Sequence, residues 1–184
     1  MMFIATSAFL QPATAQDVKL NATASNVTIY GTSNVHDWDM KAEMMSGTAN
    51  FTREANEITN IDKLQFVLVA EGLKSGKGAM DKNTYKALHT DKHKNISYQL
   101  SSCTSIKKLS ATTYEIKTLG NLTIAGVTKQ IPLTFTVKLD GAKVTLMGET
   151  KLTMTTYGVD PPKALMGTIK TGDALSIKFK ATYN

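Results

Sequence analysis

LTIAGVTKQIPLTFTVKL, residues 122–139, has the pattern of two strands joined by a tight turn. Gly126 falls between the two halves, and glycine can adopt the positive φ that a hairpin turn often needs. The second half alternates apolar with polar residues, as expected for a strand with one buried face. Its apolar positions are Leu133, Phe135, Val137 and Leu139. The stretch therefore predicts an antiparallel hairpin with one apolar side.

The same alternation recurs through most of the chain. With weaker segments such as NVTIYGT and NISYQLS, it predicts eight or nine strands separated by short turns. The opposite faces carry Lys, Thr, Glu and Asn, so the apolar faces must turn inward around a shared centre. The residues alone therefore predict an antiparallel barrel or sandwich. The other apolar sets are Leu64, Phe66, Leu68 and Ala70; Tyr114, Ile116, Leu122 and Ile124; Val144, Leu146, Leu152 and Met154; and Leu175, Ile177 and Phe179.

Length and the first residues bear on domain organisation. The chain has 184 residues, enough for one domain with a sizeable core, and no linker-like tract divides it. Residues 1–15 combine an apolar run with a final Ala-Thr-Ala, a pattern typical of a secretory signal, although no lysine or arginine precedes the run. We therefore predict a signal peptide at residues 1–15, one domain at residues 16–184, and a periplasmic or secreted location. No other apolar run reaches the roughly 18 to 20 residues of a membrane span.

The charge is distributed in a way that argues against nucleic-acid binding. The net charge is +6, and Arg53 is the single arginine among 21 basic residues. Guanidinium groups make most bidentate contacts to phosphate and guanine, so a protein specialised for nucleic-acid binding is not expected. Lys74, Lys77 and Lys82, around GLKSGKGAMDK, could contact an anionic head group or the surface of an anionic membrane.

One segment, MDKNTYKALHT, has helical character, and Asp81 is its predicted N-cap. Two histidines stand near its end, four residues apart in LHTDKH. On a continuous helix they would share a face and could bind a divalent metal. A bare H-x-x-x-H is a weak motif, so exposed or packing histidines are the favoured interpretation, and a metal-handling function stays open as an alternative. The candidate ligands are His89, Asp91 and His93, with His36 as a further one.

No catalytic motif stands out. The sequence has no G-x-S-x-G, no phosphate-binding loop and no paired cysteines. Cys103 is the single cysteine, which excludes a disulfide within the chain. An enzyme acting on a lipid, with His36 or His89 as acid or base, is an alternative hypothesis to a binding protein. A homodimer formed through loop residues such as Leu165 and Met166 is another hypothesis.

Several motifs resemble one known family. LTIAGVTK resembles the hallmark of the YceI-like family of secreted bacterial lipocalin-like proteins, in which a strand and a glycine turn precede GVTK. MDKNTYKALHTDKHKNISYQL is similar to that family's helical segment and the strand after it. SNVHDW and MTTYGVD resemble its early and late elements. The resemblance covers nearly all of residues 16–184.

This resemblance implies an eight-stranded antiparallel lipocalin-like barrel with one short helix and an extended hydrophobic channel. It also implies a non-catalytic carrier or sequestering protein for a polyisoprenoid, such as a quinone, or another long amphiphile, with no cofactor besides that lipid. Apolar burial would supply most of the affinity, at about 25 cal/mol per Å² before the costs of association. The residues expected to contact the ligand are Trp38, Met40, Phe66, Leu68, Tyr98, Leu122, Ile124, Phe135, Val137, Leu146, Met154, Ile177 and Phe179.

Overall fold

The computed structural model describes residues 14–54 and 57–184. Within these residues there are twelve strands and one α-helix, α1 (Gly78–Ala87). Residues 1–13 of the predicted signal peptide lie outside the described residues. The strands are β1 (Thr14–Lys19), β2 (Asn26–Ser33), β3 (Trp38–Ala42), β4 (Met45–Glu54), β5 (Glu57–Val69), β6 (Leu73–Lys74), β7 (Asn95–Ser110), β8 (Thr113–Ile124), β9 (Val127–Asp140), β10 (Lys143–Thr153), β11 (Lys163–Ala164) and β12 (Ile169–Tyr183).

The strands form one antiparallel sheet that curves round on itself. They are ordered β1-β4-β5-β7-β8-β9-β10-β12-β2-β3-β6, with β11 beside β12. β3 and β4 lie far apart in this order but are adjacent in the chain, where only Glu43 and Met44 separate them. Leu20 also bridges Tyr183, which joins the end of β1 to the end of β12. The all-β fold is therefore an antiparallel barrel, as the apolar alternation and the family resemblance predicted.

The predicted count of eight strands was wrong, since the described residues form twelve. Three strands outside the segments predicted as strands account for most of the difference: β1, β6 and β11. A 3₁₀ turn at Ala22–Ala24 separates β1 from β2, residues 43–44 separate β3 from β4, and a 3₁₀ turn at Ala70–Gly72 separates β5 from β6. β6 and β11 contain two residues each, too few for an apolar alternation to be recognised.

The hairpin predicted at residues 122–139 is confirmed. β8 and β9 pair in register from Ile124 opposite Val127 onward, and the turn between them contains only Ala125 and Gly126. Both turn residues have positive φ, at 48° and 80°. That is the geometry of a two-residue hairpin turn whose twist matches that of the flanking strands.

The helix covers one end of the barrel. It begins at Gly78, three residues before the predicted N-cap. Asp81 instead accepts hydrogen bonds from the Ser75 amide and hydroxyl, at 2.8 and 2.6 Å. Tyr85 accepts a hydrogen bond from Lys74 and contacts the Leu73 carbonyl oxygen at 2.9 Å, which ties α1 to β6. No helix among the described residues is long and apolar enough to cross a membrane.

The opposite end of the barrel, where the β7–β8 and β9–β10 turns lie, is filled by side chains. Tyr114, Ile116, Val137 and Val144 are at most 1% exposed there. They belong to one continuous group of buried apolar residues, here called the lower core. The barrel is therefore packed at the turn end, and any open space must lie between the lower core and α1.

Candidate functional site

A cavity of about 470 Å³ lies inside the barrel. Its wall consists of side chains from β2, β3 and β5 to β12, and residues of α1 line it as well. Small-molecule sites in proteins usually measure about 300 to 1,000 Å³. The interior is thus large enough for a ligand above the lower core.

One strand shows how the sequence builds both core and cavity wall. Along the inward face of β8, Tyr114 and Ile116 are fully buried in the lower core. Leu122 and Ile124 lie farther along the same face, where they are only half-buried and line the cavity. Because inward positions recur at every second residue, a single apolar alternation supplies both regions. The position of an inward-facing residue along the strand decides whether it packs in the lower core or lines the cavity.

Twelve of the thirteen residues expected to contact a ligand line this cavity. Val137 does not, because it is fully buried in the lower core, two residues beyond Phe135 on β9. The expectation for Val137 is therefore corrected: alternation identified its face but not its depth. Whether the other residues contact a ligand remains a prediction. The twelve are Trp38, Met40, Phe66, Leu68, Tyr98, Leu122, Ile124, Phe135, Leu146, Met154, Ile177 and Phe179.

Three aromatic side chains of the wall occupy the space left by glycines on neighbouring strands. A Cβ atom added to these glycines would lie 2.1, 2.3 and 2.6 Å from the nearest ring atoms, much closer than van der Waals contact. Because glycine has no Cβ, each ring can lie close to the neighbouring strand, and the centre of the cavity stays open. A glycine inside a predicted strand was the available sequence signal for this close approach. The pairs are Trp38 with Gly31, Tyr98 with Gly120, and Phe179 with Gly148.

Sequence reasoning missed the part of the lining that comes from outside the strands. Met80, Thr84, Ala87 and Leu88 line the cavity from α1 and its C-cap. Their helical spacing places them on one face and could have revealed them. The loop after β10 contributes two further buried residues in an irregular segment without any periodic signal. These are Tyr157 and Val159.

The wall is apolar and its buried tyrosines are neutral. Burial raises the pKa of Tyr98, Tyr157 and Tyr183, so their hydroxyls stay protonated at neutral pH. The Tyr98 hydroxyl lies 3.1 Å from that of Thr118, inside hydrogen-bonding distance. The cavity therefore offers burial to apolar groups and little attraction to a charge.

The charged lining residues lie outside the long strands, and the part of the cavity that they line is here called the mouth. Its charged side chains are Lys77, before α1, and Lys163, on β11, and both are exposed. His36, in the turn between β2 and β3, also lines it, and its Nδ1 lies 2.9 Å from the Asp37 carbonyl oxygen. An elongated molecule could therefore bury an apolar part in the cavity and leave a polar end at the mouth.

The structure does not place His89 and His93 on one helical face. α1 ends at Ala87, and His89 has φ of 50°, so the backbone leaves the helix there. The His93 ring packs against Gly126 of the β8–β9 turn, where an added Cβ would lie 2.4 Å from it. The continuous helix that the metal-binding alternative required is therefore not formed. Among the described residues, no group of three or more His, Cys, Asp or Glu side chains is arranged to hold a metal ion.

We expect zinc to have no effect on stability through these histidines. Because His89 is exposed and asparagine tolerates its φ of 50°, His89→Asn should change the free energy of unfolding by less than about 0.5 kcal/mol. Thermal unfolding with and without micromolar zinc would check this in both proteins. A zinc-dependent rise in the wild-type midpoint that disappears in His89→Asn would contradict the expectation.

A curved antiparallel barrel with an apolar cavity and charged residues at its mouth is the architecture of a small-molecule-binding barrel protein. The family model for the YceI-like domain matches residues 18–183, and the chain belongs to this family. No curated protein matches its sequence.

Solved structures share the fold at low sequence identity. BcnA of Burkholderia cenocepacia is 14% identical, with a TM-score of 0.70 over 89% of this chain and 98% of that chain. A polyisoprenoid binding domain from Saccharophagus degradans, implicated in plant cell wall breakdown, is 12% identical, with a TM-score of 0.71 over 91% of this chain and 97% of that chain. The Campylobacter jejuni YceI protein is 15% identical, with a TM-score of 0.52 over 77% of this chain and 82% of that chain.

Proposed function

We propose that the protein is a non-catalytic carrier or sequestering protein that binds a polyisoprenoid, such as a quinone, or another long amphiphilic lipid. The observation that carries this proposal is the apolar cavity of about 470 Å³ inside the barrel. Family membership supports it, as does the solved structure described as a polyisoprenoid binding domain. No cofactor other than the bound lipid is part of the proposal.

Apolar burial would supply the binding free energy. Leu122, Ile124, Leu152 and Ile177 line the cavity and are only half-buried, so apolar surface remains for a ligand to cover. Each Å² removed from water contributes about 25 cal/mol before association costs. Water gains few hydrogen bonds from such a wall, which makes its replacement by an isoprenoid chain favourable. The polar head of the lipid would stay at the mouth, near His36, Lys77 and Lys163.

A periplasmic or secreted location is part of the proposal. Its support is the signal-like sequence of residues 1–15, with an apolar run and a final Ala-Thr-Ala. In that location a carrier would hold a membrane-derived lipid away from water between membranes or outside the cell.

The single tryptophan provides a direct test. Trp38 lines the cavity, so a long-chain quinone bound there should quench its fluorescence in a saturable way. A quinone with the same head group but no isoprenoid tail is the matched control and should bind at least about 100-fold more weakly, because it buries far less apolar surface. Organic extraction of protein purified without detergent, followed by mass spectrometry, should also release an isoprenoid lipid. The proposal would be contradicted if no lipid were extracted and both quinones quenched the Trp38 fluorescence equally.

A further inference from the structure

An exposed group of apolar side chains stands beside the mouth of the cavity. Met166 is fully exposed, Leu165 is 72% exposed and Val35 is 61% exposed. Single exposed apolar residues are ordinary on protein surfaces, but a cluster at the opening of a cavity is a candidate binding surface. We call these three residues the apolar tip.

Two separate segments are tied together to form this tip. The Asn34 side chain donates a hydrogen bond to the Thr168 carbonyl oxygen at 2.9 Å and accepts one from the Lys170 amide at 2.8 Å. The Asn34 amide donates to the Lys170 carbonyl oxygen at 3.1 Å. These bonds hold the β2–β3 turn, which carries Val35, against the turn that carries Leu165 and Met166. The tip is therefore formed by two turns that hydrogen bonds hold together.

The backbone under the tip is strained. Leu165 and Met166 have φ of 48° and 52°, and Gly167 follows with φ of 88°. The left-handed region is unfavourable for large residues other than glycine, asparagine and aspartate. Met166 is exposed, so packing within the described chain does not offset this strain. Strain of this kind persists mainly where a loop serves a function.

The tip is continuous with the cavity and has basic neighbours. Pro162, Lys163, Ala164 and Ile169, on either side of Leu165 and Met166, line the cavity. Lys163 and Lys170 flank the tip, and Lys77 lies at the mouth; all three are exposed. None of them takes part in an ion pair within the described residues. The acidic residues of the same loops are Asp37 and Asp160, together with Asp173, which binds Thr155 through both carboxylate oxygens.

We propose that the apolar tip is a membrane-docking surface that inserts into the outer layer of an anionic phospholipid bilayer and brings the mouth against it. Apolar side chains at the end of a loop enter the boundary between head groups and acyl chains, while neighbouring lysines contact lipid phosphates. The mouth then opens onto the lipid phase, so a long apolar ligand passes between membrane and cavity without crossing water. The purpose of docking rests on the proposed function, but docking itself does not require a ligand.

Vesicle flotation tests the proposal without any isoprenoid. Ligand-free protein is mixed with vesicles of phosphatidylcholine containing about a quarter phosphatidylglycerol, a charge density high enough to attract lysines. We expect the wild type to float with the vesicles. Leu165→Asn combined with Met166→Asn should weaken binding at least about tenfold, because it removes the inserted apolar groups. Asparagine tolerates the left-handed backbone, so the fold should be unaffected.

Leu109→Asn is the matched control. Leu109 is 51% exposed near the β7–β8 turn, at the other end of the barrel, and this variant should bind vesicles like the wild type. Equal vesicle binding by the wild type and the double variant would overturn the proposal, as would no binding by the wild type. A wild-type dimer in sedimentation that the double variant converts to a monomer, without vesicle binding by either, would show that a second copy covers the tip and would also overturn it. Quinone binding by the double variant in solution is measured by Trp38 quenching. A double variant that binds quinone but not vesicles has lost docking alone, so the proposed function is tested separately from docking.

Discussion

Leu122→Trp combined with Leu175→Trp should reduce the affinity for a long-chain isoprenoid quinone at least about 100-fold, or roughly 2.7 kcal/mol. Both leucines line the cavity and are half-buried, so the larger rings can extend into open space instead of the packed lower core. They lie on β8 and β12, which are separated by β9 and β10, so the two rings narrow the cavity from different sides. Calorimetric titration with the quinone would measure the loss.

The control for this experiment must carry the same chemical change outside the cavity. Leu109→Trp meets that condition, since Leu109 is exposed near the β7–β8 turn and is distant from the mouth. Circular dichroism and thermal unfolding should show that all variants retain the barrel. If the folded double variant bound quinone as tightly as the wild type, the ligand would have to bind elsewhere.

Gly120→Ala should destabilise the protein by about 2 to 3 kcal/mol, although alanine is usually better than glycine inside a strand. The new methyl group would lie 2.3 Å from the Tyr98 ring carbon Cζ and from its hydroxyl oxygen. Tyr98 is 7% exposed and is hydrogen-bonded to Thr118, so its ring cannot move away without losing packing. Urea unfolding would measure the change in free energy.

A double-mutant cycle identifies the cause of that loss. In a Tyr98→Leu background the ring is absent, and Gly120→Ala should then cost less than about 0.5 kcal/mol. Gly78→Ala is the matched glycine control, because no atom lies within 4 Å of its added Cβ and it should raise stability by about 0.5 to 1 kcal/mol. A full loss of stability by Gly120→Ala in the Tyr98→Leu background would show that the ring contact is not responsible.

The sequence predicted the inward face of most long strands because alternation records burial directly. In the β8–β9 hairpin, the predicted apolar sets face the interior as expected: Tyr114, Ile116, Leu122 and Ile124 on β8, and Leu133, Phe135, Val137 and Leu139 on β9. Alternation could not show where the lower core ends, which is why Val137 was assigned to the cavity wall. Depth depends on how neighbouring strands are staggered, and single-strand patterns carry no information on stagger.

Other features depended on contacts between distant segments. The course of the chain after α1 could not be predicted from LHTDKH, because His89 leaves the helix and His93 packs against Gly126 in another part of the chain. The pairing of aromatic rings with glycines also joins different strands. A glycine in a strand signals a close approach but does not identify its partner.

Two of the strand breaks have a consequence for the continuity of the wall. The break between β3 and β4 lies beside the break between β5 and β6: the Glu43 amide donates to the Gly72 carbonyl oxygen at 2.9 Å, and the Val69 amide donates to the Met44 carbonyl oxygen at 3.0 Å. β3 pairs with β6 on one side of the breaks, and β4 pairs with β5 on the other. Backbone groups that the interrupted strands would otherwise leave unpaired are therefore satisfied by each other, and the wall stays hydrogen-bonded through both breaks.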